Sequence, residues 1–117
     1  MILVDTSIWI DHLRHGVPRL EALLESNVVF THGAVVGELA CGNLRNREEV
    51  LELLRSLPQL FAATDEEVLA MIERHQLMGR GIGYIDAHLL TAAKMHAVKL
   101  WTGDRRLHDL AASLDLV

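Results

Sequence analysis

Four acidic residues of this 117-residue chain stand in surroundings that do not suit a charge. Asp5 is the only charged residue among the first ten. Glu38 is the only one between Gly33 and Leu44, and Asp86 the only one between Gly81 and Ala93. Asp104 follows Leu100-Trp101-Thr102 after a single glycine. Most other acids, such as Glu48, Glu49, Glu52, Glu66, Glu67 and Glu73, fall at helix starts or outer faces, where water solvates them. A carboxylate in apolar company must be paired, hydrogen-bonded, protonated or bound to a cation, because burying it alone is costly. Clustered carboxylates also repel one another and take up protons unless cations intervene. Hard divalent ions, Mg²⁺ or Mn²⁺, prefer such oxygen ligands. That chemistry suits phosphodiester hydrolysis, with the ion lowering the pKa of an attacking water and balancing charge on the reacting oxygens. No serine or cysteine nucleophile is then needed. Each aspartate also has an ordinary alternative as a helix cap, and Glu38 as the partner of an arginine.

The elements that must position these residues alternate between short apolar runs and amphipathic helices. Residues 2–5 read as a buried parallel strand ending at Asp5. Thr6 or Ser7 caps a helix to about His12, which Gly16 closes, and Pro18 starts a second helix with Leu20, Leu23 and Leu24 inward. After the Ser26-Asn27 turn, 28–30 is a strand and 33–43 a third helix. Asn46 and Glu49 have capping-box spacing for a fourth helix that Pro58 stops. Residues 60–62 are a weak strand, and Thr64 with Glu67 repeats the box ahead of a helix to about Met78. Gly79 to Gly83 form a loop, 85–97 a long helix, 98–102 a strand, and a last helix begins near Asp104. Residues 114–117 add an edge strand. This is one α/β domain over 1–117, a three-layer sandwich around a mostly parallel sheet. Asp5 and Asp104 then lie at the carboxyl ends of two strands, where open parallel sheets gather functional groups. Small neighbours on the Glu38 face (Ala34, Cys41 and Gly42) allow it a close approach.

Composition narrows the setting. No apolar run reaches the roughly 18 residues of a membrane span, and the first residues read as a strand instead of a signal peptide. A single cysteine, Cys41, excludes an internal disulfide and a thiolate zinc cage, which points to a reducing cytoplasmic compartment. The net charge of −5 gives no general attraction to nucleic acid, so local arginines and cations would have to supply it.

Four stretches carry a resemblance: Val4-Asp5-Thr6-Ser7, Gly37-Glu38-Leu39, Gly83-Tyr84-Ile85-Asp86-Ala87 and Leu100-Trp101-Thr102-Gly103-Asp104. In this order and spacing the chain resembles PIN-domain ribonucleases, specifically the VapC toxins of toxin–antitoxin pairs. The resemblance implies a five-stranded parallel sheet, an acidic site holding Mg²⁺ or Mn²⁺, and endonucleolytic cleavage of RNA. It also implies homodimerisation and inhibition by a VapB-like antitoxin. By position Asp5, Glu38, Asp86 and Asp104 match the family's acids, and Thr6 and Thr102 its supporting polar residues. Arg106 stands where many relatives have another acid or amide, which leaves the number of ions open.

Arg105 and Arg106, beside the last aspartate, and Arg80, in the glycine loop, are candidates for RNA phosphates; solvated arginine is the plain alternative. The glycines at 79, 81 and 83 lack a Walker lysine and follow no strand. His12 and His15 have helical spacing but no third zinc ligand. A phospho-accepting receiver domain would also gather acids at strand ends, but it wants adjacent acids after its first strand and a lysine ending its last. Here Thr6 and Ser7 follow Asp5, and Lys99 begins its strand. A non-catalytic interaction protein of the same fold is the other alternative.

Overall fold

The apolar run at the start of the chain becomes the centre of the sheet. In the computed structural model, which describes residues 1–117, β1 (Ile2–Val4) lies between β2 (Val29–His32) and β4 (Lys99–Trp101). The fourth strand, β3 (Gln59–Leu60), borders β2. Every pairing is parallel, with Leu3 opposite both Phe30 and Leu100. Leu3 and Val4 have no exposed surface, as a strand covered on both faces requires. The first three strands are added outward in one direction, and the chain then returns to place β4 on the other side of β1. The strand order therefore reverses between β1 and β4, and the crevice beyond their carboxyl ends is the expected position for a site.

Seven helices connect and cover these strands: α1 (Thr6–His15), α2 (Pro18–Glu25), α3 (Gly33–Ala40), α4 (Arg47–Ser56), α5 (Asp65–His75), α6 (Tyr84–His96) and α7 (Arg105–Ser113). α1 and α4 both pack on α3, and α5 packs on α6. The most deeply buried helix, α6, places Leu89, Leu90, Ala92 and Ala93 in the core with no exposed surface. Local chemistry sets the helix ends. Gly16, with φ 73°, terminates α1, and Thr64 and Glu67 exchange hydrogen bonds of 3.1 and 2.9 Å at the start of α5. No helix is long and apolar enough to cross a membrane.

Three expectations need correction. The sheet has four strands where five were expected, because the backbone turns left-handed at Asp115 (φ 59°) and breaks the extended run over 114–117. That tail still gives β4 one hydrogen bond, from Leu100 N to Leu116 O at 2.6 Å, but no ladder. Asn46 does not form its box: it lies in the left-handed region with φ 51°, and its side chain makes no cap bond. The weak strand falls at Gln59–Leu60 instead of 60–62. It is set there because Leu57 takes the extended conformation favoured before proline, and the Pro58 carbonyl accepts from Thr31 N at 2.9 Å.

Candidate active site

Asp5 is the fixed point of the crevice. Its backbone N–H donates to the Trp101 carbonyl at 2.9 Å, which ties the end of β1 to the end of β4. Its carboxylate, 7% exposed, accepts three hydrogen bonds: Oδ1 from Thr6 N at 2.7 Å, and Oδ2 from Ser7 Oγ at 3.0 Å and Thr102 Oγ1 at 2.6 Å. Ser7 and Thr102 are held in turn, accepting from Gly103 N at 2.9 Å and Asp104 N at 3.0 Å. One small network thus joins the first turn of α1 to the loop that carries Asp104.

The other acids face this point with oxygens to spare. Thr6 Oγ1 donates to Glu38 Oε1 at 2.9 Å, so α1 positions the middle of α3, and Glu38 has no arginine within ion-pair distance. Asp86, in the first turn of α6, accepts from Gly83 N at 3.2 Å through Oδ2. Asp104 caps α7 by accepting from Leu107 N at 3.1 Å through Oδ1. Glu38 Oε2, Asp86 Oδ1 and Asp104 Oδ2 make no hydrogen bond to protein. All three aspartates sit at helix N-termini, as capping predicts, and are close enough together to interact; the two readings are not exclusive. The N-termini of α1, α6 and α7 bring three positive dipole ends to one crevice.

Electrostatics registers the convergence. The Asp86 carboxyl is pushed above its ordinary value of 3.8, first by burial and then by the negative charges of Asp5, Asp104 and Glu38, against the lowering effect of the Gly83 N–H. No three acidic or histidine side chains approach closely enough to coordinate one ion by protein atoms alone. The donor set fits a hard cation that keeps several waters and binds one or two carboxylates directly.

The three candidate arginines are all exposed. Arg105 and Arg106 lie exposed in the first turn of α7, where a cation opposes the helix dipole. Arg80 is exposed in the loop before α6 and makes no ion pair. Arg106 lies across Gly81, where an added Cβ would come within 2.6 Å of its Cδ. Gly81 also has φ 80°, a conformation that strains other residues. Gly81→Ala should therefore cost about 1–2 kcal/mol and move Arg106. Chemical denaturation would check this, and an unchanged midpoint would show that the loop adapts freely.

Ser7, which supports Asp5 as directly as Thr102 does, was not anticipated from sequence. The signal was its hydroxyl two residues beyond an aspartate, the spacing of a local side-chain turn. A second polar group, Asp65 with Tyr84 and His88, was also unforeseen; His88 Nε2 lies 3.4 Å from Asp65 Oδ1. His12 and His15 are in α1 and find no metal-binding partners. Lys99 begins β4 and donates to the Asp115 carbonyl at 3.0 Å, so the lysine of a receiver domain is missing.

The chain belongs to the PIN-domain family, whose sequence model matches residues 2–113. Within that family it sides with the VapC ribonucleases. It is 46% identical over 113 residues to Ribonuclease VapC32 of Mycobacterium tuberculosis, in both strain CDC 1551 and strain H37Rv, with 96% of this chain and 91% of the relative aligned. Among solved structures its fold is similar to FitAcB from Neisseria gonorrhoeae, with a TM-score of 0.63 and 24% identity over 96% of this chain and 94% of that one. FitAB bound to an IR36 DNA fragment matches with the same TM-score at 22% identity, covering 96% and 91%.

Proposed function

We propose that this protein is a VapC-type endoribonuclease that hydrolyses RNA phosphodiester bonds with a divalent cation, Mg²⁺ or Mn²⁺, held by Asp5, Glu38, Asp86 and Asp104, one or two of them directly and the others through its waters. The observation that carries the reading is the convergence of four carboxylates from distant stretches of the chain, which the hydrogen bonds of Thr6 to Glu38 and of Thr102 to Asp5 draw together; the Asp86 carboxyl is raised there, first by burial and then by Asp5, Asp104 and Glu38. The similarity to Ribonuclease VapC32 supports RNA as the substrate, and metal dependence is general among VapC-type PIN ribonucleases. A VapB-like antitoxin, a second copy of the chain and the cytoplasm complete the proposed setting.

The division of labour follows from the hydrogen bonds. Asp5, fixed by three donors, is the ligand that cannot swing, and Thr102 and Ser7 keep it so. Asp86 and Asp104 each keep a free oxygen toward the crevice side of a helix N-terminus. Glu38, held at one oxygen by Thr6, reaches in from the α3 side. When bound, the cation supplies a lowered pKa for the attacking water and positive charge against the phosphoryl oxygens. The three converging helix N-termini add to that field. Arg80, Arg105 and Arg106 grip phosphates of the RNA on either side of the scissile bond.

Purified protein should cleave single-stranded RNA with Mg²⁺ or Mn²⁺ and lose all cleavage in EDTA, regaining it on re-addition of the ion. Full activity in EDTA would overturn the metal assignment. Expression in a bacterium should arrest growth, and co-expression of a VapB-like partner should relieve the arrest. Cleavage without arrest would separate a nuclease from a toxin.

A further inference from the structure

A cavity of about 260 Å³ lies between α2, β4 and α7, outside the acidic crevice. Arg19, Lys99, Trp101, Thr102 and His108 line it together with Ile2, Leu100 and the terminal Val117, and no acidic side chain takes part. In a chain of net charge −5 this is a local exception. The Arg19 guanidinium carbon sits 4.4 Å from the centroid of the Trp101 ring, a cation–π contact that gives a long side chain a fixed place. Arg19 has no carboxylate within ion-pair distance, so its charge is unopposed. Lys99 spends one donor on the Asp115 carbonyl and keeps two. A guanidinium, an ammonium, an imidazole and an indole around one cavity are suited to a nucleotide: the cations meet phosphate, while aromatic and guanidinium planes stack on a base.

The cavity is linked to Asp5 through its wall. Thr102 forms part of its wall, and its hydroxyl donates to Asp5 Oδ2 at 2.6 Å. The carbonyl of Trp101 accepts from Asp5 N. One step along the strand, about 3.3 Å, separates the stacking residue from the residue that holds Asp5. We propose that this cavity is a nucleotide subsite for the RNA, taking the base and phosphate of a residue that flanks the scissile bond. Arg19 and Trp101 determine its preference. The proposal rests on the RNA-cleaving reading above.

The test uses the full chain carrying Asp86→Asn, so that binding is read without turnover. Trp9 is buried, and Trp101 is the indole whose emission a ligand in this cavity would change. Titration with uridine and adenosine 5′-monophosphates, then with a single-stranded oligoribonucleotide, should quench that emission saturably. Adding Arg19→Ala should weaken half-saturation roughly tenfold, with Arg19→Lys falling between because it keeps the charge and loses the plane. In the cleaving parent, Arg19→Ala should raise KM for a long oligonucleotide by a similar factor. Absence of saturable quenching, or equal quenching with and without Arg19, overturns the subsite. Quenching by an acidic peptide in place of the nucleotides also overturns it, in favour of a protein partner. Cleavage by the parent, measured on the same RNA, decides the catalytic reading separately.

Discussion

Asp86→Asn should lower RNA cleavage by roughly 100- to 1000-fold or more, and in EDTA it should leave the protein more stable than its parent. The two effects share a cause. Asp86 is half-buried among three other carboxylates, so in the cation-free protein its charge opposes folding. Asparagine keeps an oxygen to accept from Gly83 N and removes the charge. It therefore relieves repulsion while deleting a ligand. Loss of activity with unchanged or raised stability is the mark of a functional carboxylate. An equal fall in both would make Asp86 a structural cap instead.

The pH dependence gives a sharper form of this test. A carboxyl whose folded pKa lies above its unfolded value of 3.8 binds more protons in the folded state between those two values. Stability from this group is therefore fully present below 3.8 and is lost as pH rises through the raised pKa. Other groups titrate too. His32, lowered by burial and by His88, loses stability as pH falls below its ordinary value of 6.5, and Asp65 and Glu67 are lowered by hydrogen bonds. These contributions are common to parent and variant and cancel in the difference. In EDTA the stability advantage of Asp86→Asn should thus grow as pH rises from about 4 toward neutrality. Mg²⁺ should reverse it, because only the parent gains the full ligand set. A pH-independent difference would mean that neither burial nor the neighbouring carboxylates perturb Asp86.

The helices and the parallel sheet could be read directly from apolar periodicity, and the odd surroundings of Asp5, Glu38, Asp86 and Asp104 marked them out without any structure. What escaped was the detail that depends on distant partners. Asn46 and Glu49 have the same spacing as Thr64 and Glu67, yet only the second pair forms a box, because the backbone at Asn46 turns left-handed. The edge strand failed for a similar reason: residues 114–117 have the composition of a strand, but the left-handed backbone at Asp115 interrupts the extended run. Helix-capping and site-forming roles were treated as rivals for the aspartates, although a carboxylate with two oxygens can give one to a helix and the other to the crevice. Asp104 does so, with Oδ1 on Leu107 N and Oδ2 free. Nothing in the sequence set Trp101 apart as a ligand-facing residue, since only the three-dimensional placement of α2 shows Arg19 lying over its ring.

Asp5 should behave differently from Asp86 in one measurable respect: its replacement should cost stability as well as activity. Asp5→Ala removes the acceptor of three hydrogen bonds, leaves the Thr102 hydroxyl buried without its partner, and uncaps α1. A lost cap costs about 1 kcal/mol, and hydrogen bonds to a buried charge about 1.5–3 kcal/mol. Relief of repulsion returns only part of this, so a net loss of about 2–4 kcal/mol is expected. Asp5→Asn is a gentler change. Its oxygen can still accept from Thr6 N, while its amide must donate to the Ser7 and Thr102 hydroxyls, which already accept from Gly103 N and Asp104 N. Those hydroxyls can take a second hydrogen bond but lose the acceptor for their own protons. Asp5→Asn should therefore lie between the parent and Asp5→Ala in denaturant midpoint, with cleavage as low as in Asp86→Asn. If Asp5→Ala proved as stable as the parent, the network joining β1, α1 and the Asp104 loop would not be what holds the crevice in shape.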